Sequence, residues 1–244
     1  TSLPPFMIQS VKFAVPVDHD GEPWLEKQKE IAAGYVTLEQ TKETVVEQIA
    51  NLSQVSIVPN CDEYAIEYLP LSELFDTIKG KSKYTKKYGN LHSGPYPVYS
   101  ASSQGTLTHL DTYDYDGRYM TWSTNGFAGT ILILDGKFSI NGDRGILVPK
   151  NGRQDLDFDY MKFTLEPIFR ELAKGRKGDN GEDEFTKLYP SMLSNIMVPI
   201  PVDGKGNISL LLQKEIAQKF ISVQNSQKEI IEKLDALISK KISI

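Results

Sequence analysis

Apolar positions follow one pattern at the two ends of the chain and another between them. Ile31, Tyr35, Leu38, Val45, Ile49 and Leu52 are spaced 4, 3, 7, 4 and 3, the stripe of a long helix with a coiled-coil seam. Ile216, Phe220, Val223, Ile230, Leu234 and Leu237 repeat that spacing at a constant offset of 185 positions. The repeat is wider than the helices. Met7–Ile57 aligns without a gap on Met192–Ile242, and Pro16-Val17-Asp18 falls on Pro201-Val202-Asp203. Gln28-Lys29-Glu30-Ile31-Ala32 falls on Gln213-Lys214-Glu215-Ile216-Ala217, and Leu3-Pro4-Pro5 on Leu188-Tyr189-Pro190. Each copy reads as a short strand ending in Pro-Val-Asp, a glycine-bearing turn, and a helix. The helices are expected from about Trp24 to Gln54 and from about Ser209 to Lys240. At 1.5 Å rise, a helix of ~30 residues is about 45 Å long. That exceeds what one small domain covers, so the seams are expected to bury against each other, as an antiparallel coiled coil, or against another chain.

Between the repeats the period changes. A short helix is expected at Ser72–Ile78 with Ser72 as its N-cap. Strand-like runs follow at Arg118–Trp122, Thr130–Leu134, Lys137–Ile140 and Ile146–Val148. Asp116-Gly117, Asn125-Gly126 and Asp135-Gly136 punctuate them, and such pairs favour hairpin turns. A helix over Asp159–Lys174, starting or kinked at Pro167, and an exposed polar loop over Arg176–Glu184 complete the region. The expected class is α+β, with one domain built on a twisted, mainly antiparallel sheet and flanked by the two helices. The boundaries are 1–23 (tail of a preceding domain, and turn), 24–54 (first helix), 55–207 (central domain) and 208–244 (second helix).

Composition narrows the function. With 244 residues, 40% hydrophobic and 24% charged, the chain has the makings of a globular core. The single cysteine, Cys61, rules out an internal disulfide framework and a multi-cysteine zinc site; it reads as structural, and such cysteine usage fits a reducing cytoplasm. No signal peptide or membrane-length apolar run is present. There is no phosphate loop, no metal-binding histidine pair, no nucleophile elbow and no Asn-Pro-Pro-Tyr-like methyltransferase motif. The carboxylates of Asp111–Asp116 and Glu182–Glu184 read as a solvated face. No catalytic motif and no metal or cofactor site is therefore legible in the residues.

The formal net charge of −5 argues against a uniformly basic nucleic-acid binder, so the distribution of charge decides. Lys79-Gly80-Lys81-Ser82-Lys83-Tyr84-Thr85-Lys86-Lys87-Tyr88 holds five lysines, two tyrosines and no acid, and Arg170, Lys174, Arg176 and Lys177 form a second basic group. Lysines on loops contact phosphates, and interleaved hydroxyls add hydrogen bonds. Lys81, Ser82, Lys83, Tyr84, Lys86, Lys87, Arg176 and Lys177 are the backbone-contact candidates. Polar loops at Ser100–Gln104, Thr121–Gly126 and Asn141–Arg144 supply Ser102, Gln104, Ser123, Asn125, Asn141 and Arg144 as base-edge candidates. Asn and Gln suit adenine, and Arg suits guanine. The same residue types also form ordinary turns and solubilising loops.

Four stretches carry a family resemblance: Gly94–Ser102 (GPYPVYSAS), Tyr119–Gly129 (YMTWSTNGFAG), Phe138–Pro149 (FSINGDRGILVP) and the repeated Pro-Val-Asp turn with its QKEIA helix. Together they resemble the specificity subunit of type I restriction–modification systems, over nearly the whole chain. That resemblance implies alternating target-recognition domains and conserved helices. It implies a domain that reads one half of a split site in double-stranded DNA, and helices that set the spacing and dock adenine methyltransferase subunits. The restriction subunit is a further partner, a homodimer through the helices is an option, and a membrane is not involved. Adenine methylation would proceed by base flipping on the partner. In this frame Thr1–Val17 reads as the tail of a first recognition domain. The chain is then a C-terminal fragment, a half-subunit that pairs with another copy, or the recognition tail of a fused restriction–methylation enzyme. A coiled-coil adaptor that binds no DNA and a hydrolase or transferase with an unrecognised site are the competing readings.

Overall fold

The computed structural model describes residues 14–54, 64–177 and 183–238. The expected tail over 1–13, Cys61, and the side chains of Leu52, Lys177 and Leu237 lie outside the described residues. The chain divides into two compact units, Val58–Val223 and a second made of Thr1–Ile57 with Gln224–Ile244.

The second unit is helical. The long helix α1 (Leu25–Gln54) follows the periodicity of its apolar stripe. Ile31, Leu38, Val45 and Ile49 are half-buried, whereas Tyr35 is exposed.

The Val58–Val223 unit is α+β. In chain order it holds β1 (Ile66–Pro70), α2 (Leu71–Leu74), β2 (Phe75–Lys79), α3 (Lys86–Leu91), β3 (Tyr96–Tyr99), β4 (Thr108–Leu110), β5 (Tyr115–Asp116), β6 (Tyr119–Ser123) and β7 (Asn125–Gly126). These are followed by β8 (Ile131–Leu134), β9 (Lys137–Ile140), β10 (Arg144–Pro149), α4 (Phe158–Leu172), β11 (Lys174–Lys177), β12 (Asp183–Lys187), β13 (Met197–Pro201) and the start of the helix α5 (Leu210–Ile238). The expected single sheet is in fact several small ones. Two are four-stranded, β2-β10-β6-β8 and β4-β3-β9-β5; β11-β12-β7 has three strands and β1-β13 two. Pairing is antiparallel except between β3 and β9.

The core explains the split. Leu134, Phe138, Ile140 and Ile146 form one buried cluster, with Tyr99, Tyr115, Tyr119, Leu132 and Val148 packed on it. Its members come from both four-stranded sheets, so the chain must pass from one to the other. It does so at Asp116-Gly117 and Asp135-Gly136, which are corners between sheets rather than hairpin turns. The Gly117 N–H donates to the Gly136 carbonyl at 3.0 Å, tying the two corners together. Asn125-Gly126 does lie within the β6–β8 hairpin, but it also pairs with β12.

Three further expectations are corrected. The helix at Ser72–Ile78 shrinks to α2, because Phe75–Lys79 pairs along Gly145–Pro149 of β10 and that ladder outweighs local preference. Part of the expected loop at Arg176–Glu184 is strand, because Arg176 and Lys177 belong to β11 and Asp183 and Glu184 to β12, which pairs with it antiparallel; residues 178–182 lie outside the described residues. Pro167 lies inside α4 and does not start it; the helix is capped by the Asp157 side chain accepting the Tyr160 N–H at 2.9 Å.

The sequence repeat recurs bond for bond. In the first copy the Asp18 carboxylate accepts the N–H groups of Asp20 (2.9 Å) and Glu22 (3.0 Å). In the second, Asp203 accepts those of Lys205 (2.8 Å) and Asn207 (2.9 Å). Those hydrogen bonds hold the Asp203 carboxyl below its usual range. Gly21 and Gly206 both take the left-handed conformation, at φ +87° and +81°. Trp24 N–H to Pro16 carbonyl (2.8 Å) matches Ser209 N–H to Pro201 carbonyl (2.9 Å).

The helix that follows the second turn is anchored to the domain. Gln213, Ile216, Ala217 and Phe220 share one face at helical spacing and are all buried. The Gln213 side chain donates to the Asp155 carbonyl and accepts the Asp157 N–H, at 2.9 and 2.8 Å, and Phe220 stacks on Phe163 at 5.1 Å. The expectation that Ile216 and Phe220 belong to an interhelical seam is corrected accordingly: the domain covers them. Farther along, Val223 and Ile230 are about half exposed and Leu234 is half-buried.

Candidate nucleic-acid interface

The polar loops singled out in the sequence are far apart along the chain, and backbone hydrogen bonds draw them together. Gly80 N–H donates to the Arg144 carbonyl (2.9 Å) and Lys81 N–H to the Ile140 carbonyl (3.1 Å). This contact requires glycine, because a Cβ at Gly80 would stand 2.1 Å from the Asn141 carbonyl oxygen. Asn141 N–H donates to the Tyr99 carbonyl at 2.9 Å, fixing the start of the 100–104 loop. Thr124 N–H donates to the Asp143 carbonyl (2.9 Å), and the Thr124 carbonyl accepts the Leu188 N–H (3.1 Å). Thr124 thereby links the 141–144 turn to the end of the β11–β12 hairpin.

Arg144 holds this arrangement from inside. It is fully buried, and its guanidinium donates to the carbonyls of Ser100, Ala101 and Ser102 and to the Thr121 hydroxyl. Burial pushes its pKa down to about 10. Arg144 is thus the anchor of the 100–102 loop rather than a side chain offered to a base. Ser123 is also withdrawn, buried with its hydroxyl donating to the Phe127 carbonyl. Tyr84 is buried, its hydroxyl donating to Asp114 at 3.1 Å; burial first, and Asp114 second, raise its pKa. Asn141 is buried as well, with its amide turned back on the turn: Oδ1 accepts the Asp143 N–H at 3.0 Å, and Nδ2 faces Asp143 Oδ2 at 3.4 Å.

The remaining candidates with described side chains are exposed. Lys81 is tethered to Asp114 by a short ion pair, and that hydrogen bond raises its pKa. Lys83 lies over the rings of Tyr84 and Tyr88, 5.5 Å from each. Thr85 caps α3 by accepting the Tyr88 N–H at 3.1 Å, so Lys86 and Lys87 open a short helix where a plain loop was expected. Ser82, Ser102, Gln104 and Asn125 face solvent, the Ser102 hydroxyl bonding locally to Gln104. Arg176 lies over the exposed ring of Phe185, 5.6 Å from its centroid. Two residues that motif reading passed over, Lys79 and Asp143, join this surface. They line a cleft of about 340 Å³ with Ser82, Thr85, Lys86, Ser100 and Asn141. The β2–β10 ladder and the Lys81–Asn141 bridge beside it bring them together, and no local pattern encodes those pairings. Asp18, His19 and Asp20 form a compact cluster, with Asp18 half-buried and the other two exposed. No helix among the described residues is long and apolar enough to cross a membrane.

The small α+β domain, mostly antiparallel in its pairing, thus carries a lysine-rich edge and has a long helix anchored on it. The chain belongs to the family of the type I restriction modification DNA specificity domain, whose profile matches residues 65–243. It is 37% identical over 160 residues to a putative type I specificity subunit of Mycoplasma pneumoniae, covering 64% of this chain and 58% of that protein. It is also 37% identical over 157 residues to the specificity subunit of the type I restriction enzyme MpnII from the same organism, covering 63% and 43%. The crystal structure of the HsdS subunit from Thermoanaerobacter tengcongensis shares the fold, with a TM-score of 0.53 over 89% of this chain and 57% of that one, at 15% identity. The chain spans between 26% and 58% of the length of the curated relatives it matches. The resemblance drawn from the sequence motifs is met by this membership.

Proposed function

We propose that this chain is the DNA-reading, non-catalytic part of a type I specificity subunit. The domain over residues 55–207 reads one half of a bipartite site in double-stranded DNA. The conserved helices at 24–54 and 208–244 set the distance to the other half and dock the adenine methyltransferase, which carries out the chemistry on its own cofactor. The observation that carries this reading is the convergence of the lysine run with the 100–104, 123–126 and 141–144 loops. Exposed lysines at the rim contact phosphates and fix register, while short polar loops between them meet base edges.

The bond-for-bond repeat supports the bipartite reading. In the second copy, Gln213, Ile216, Ala217 and Phe220 receive a recognition domain. Their equivalents in the first copy are Gln28, Ile31, Ala32 and Tyr35, of which Ala32 and Tyr35 are exposed. The first helix therefore carries the seat for a second domain of the same kind, supplied by preceding sequence or by another copy. A helix of ~30 residues, about 45 Å long, exceeds one duplex turn of about 34 Å, which suits two readers on separated half-sites. Mutual packing of the helix seams as an antiparallel coiled coil, through Leu38, Val45 and Ile49 with Ile230 and Leu234, would keep that distance fixed. A cytoplasmic chain fits this reading, since DNA and the methyltransferase are its proposed partners.

Reversing Lys83, Lys86 and Lys87 to Glu tests the assignment in a mobility-shift titration at several salt concentrations, with the methyltransferase present. The expected result is much weaker binding and a shallower salt dependence, because phosphate contacts release counterions. Unchanged affinity and slope would remove the lysine run from the interface.

A further inference from the structure

The turn Asn141-Gly142-Asp143-Arg144 carries three functional side chains, and two of them are already committed. Arg144 is buried on three carbonyls, and both polar atoms of the Asn141 amide face back onto Asp143. Asp143 is different. Its backbone is fixed on both sides: the N–H donates to Asn141 Oδ1 (3.0 Å) and the carbonyl accepts the Thr124 N–H (2.9 Å). Its half-buried carboxylate has a single side-chain hydrogen bond among the described residues, the weak 3.4 Å contact from Asn141, and no ion pair there. Most of its acceptor capacity is therefore unused, although Lys79 and Lys86 line the same cleft.

An acid in a cleft lined by lysines works against simple phosphate binding at that spot. What a carboxylate can do there is accept hydrogen bonds. In the major groove, adenine and cytosine present exocyclic amino donors, whereas guanine and thymine present only acceptors to hydrogen bonding. We propose that Asp143 is a specificity-determining residue whose carboxylate accepts the amino group of one adenine or cytosine, while Lys79 and Lys86 hold neighbouring phosphates. The assignment rests on the DNA-reading function proposed above. Asn141 and Arg144 act as positioning residues: they set the Asp143 backbone and the adjoining loop without touching the base themselves.

Selection from a pool of randomised duplexes tests this, with the full chain and its methyltransferase partner. The wild-type chain selects a site containing one position restricted to adenine or cytosine. Asp143→Ala relaxes that position alone and weakens binding to the wild-type site by roughly tenfold to a hundredfold, with an unchanged melting temperature. Lys86→Gln instead weakens binding to all sequences alike and lowers the salt slope by about one. If Asp143→Ala selects the wild-type site unaltered, or strengthens binding uniformly, Asp143 is only a surface charge and the inference is overturned while DNA reading stands. If the wild-type chain selects no sequence at all, both fall together.

Discussion

Arg144 is a buried cation with no carboxylate partner among the described residues. Its four hydrogen bonds to the Ser100, Ala101 and Ser102 carbonyls and the Thr121 hydroxyl take the place of water. Replacing it with Met keeps much of the volume and leaves those acceptors unpaired. A loss of about 3 kcal/mol or more is expected in denaturant unfolding, together with weaker sequence discrimination by the 100–104 loop. Single residues were the least legible part of the sequence. Arg144, Ser123, Asn141 and Tyr84 have the chemistry of DNA contacts, and they fall in polar stretches of the sequence. Their burial depends on partners such as Ser100, Phe127 and Asp114, which only the folded topology brings near. Lys83, Lys86 and Lys87 lack such internal demands and stay exposed. Asp143 drew no notice because an acid next to Asn and Gly reads as an ordinary turn.

At the scale of elements, the repeat makes an internal control possible. Gln28 and Gln213 are the same residue at the same place in two copies of one turn and helix. Gln213 is fully buried and bridges Asp155 and Asp157, whereas Gln28 is only half-buried. Gln213→Ala is expected to cost about 1–3 kcal/mol, read as a fall in Tm of about 2–4 °C per kcal/mol for a chain of this size. Gln28→Ala in this chain should leave Tm nearly unchanged, and equal losses in thermal unfolding would refute the difference in docking. Elements with strong local patterns were readable. The heptad-like stripes located α1 and α5, and the apolar runs located β6, β8, β9 and β10. The failures were non-local. Phe75–Lys79 has a helix-compatible sequence that its pairing with β10 overrides, and Asp-Gly pairs cannot say whether the strands they join belong to the same sheet.

For the molecule as a whole, the repeat at offset 185 carried most of the information, because it revealed two helices of matching pattern, each opened by the same turn. What the pattern could not reveal is that the first part of α5 spends its apolar face on the domain, so fewer of its positions remain for a seam. The proposed role makes residues 65–206 a replaceable reading head on a fixed spacer. The direct measurement is a domain exchange. Residues 65–206 are replaced by the corresponding domain of a different type I specificity subunit, and the sequences methylated by the assembled complex are mapped across a genome. The account predicts that one half of the recognised site changes to the donor's half-site while the other half and the spacing between them persist. An unchanged site, or a spacing that travels with the exchanged domain, would contradict it.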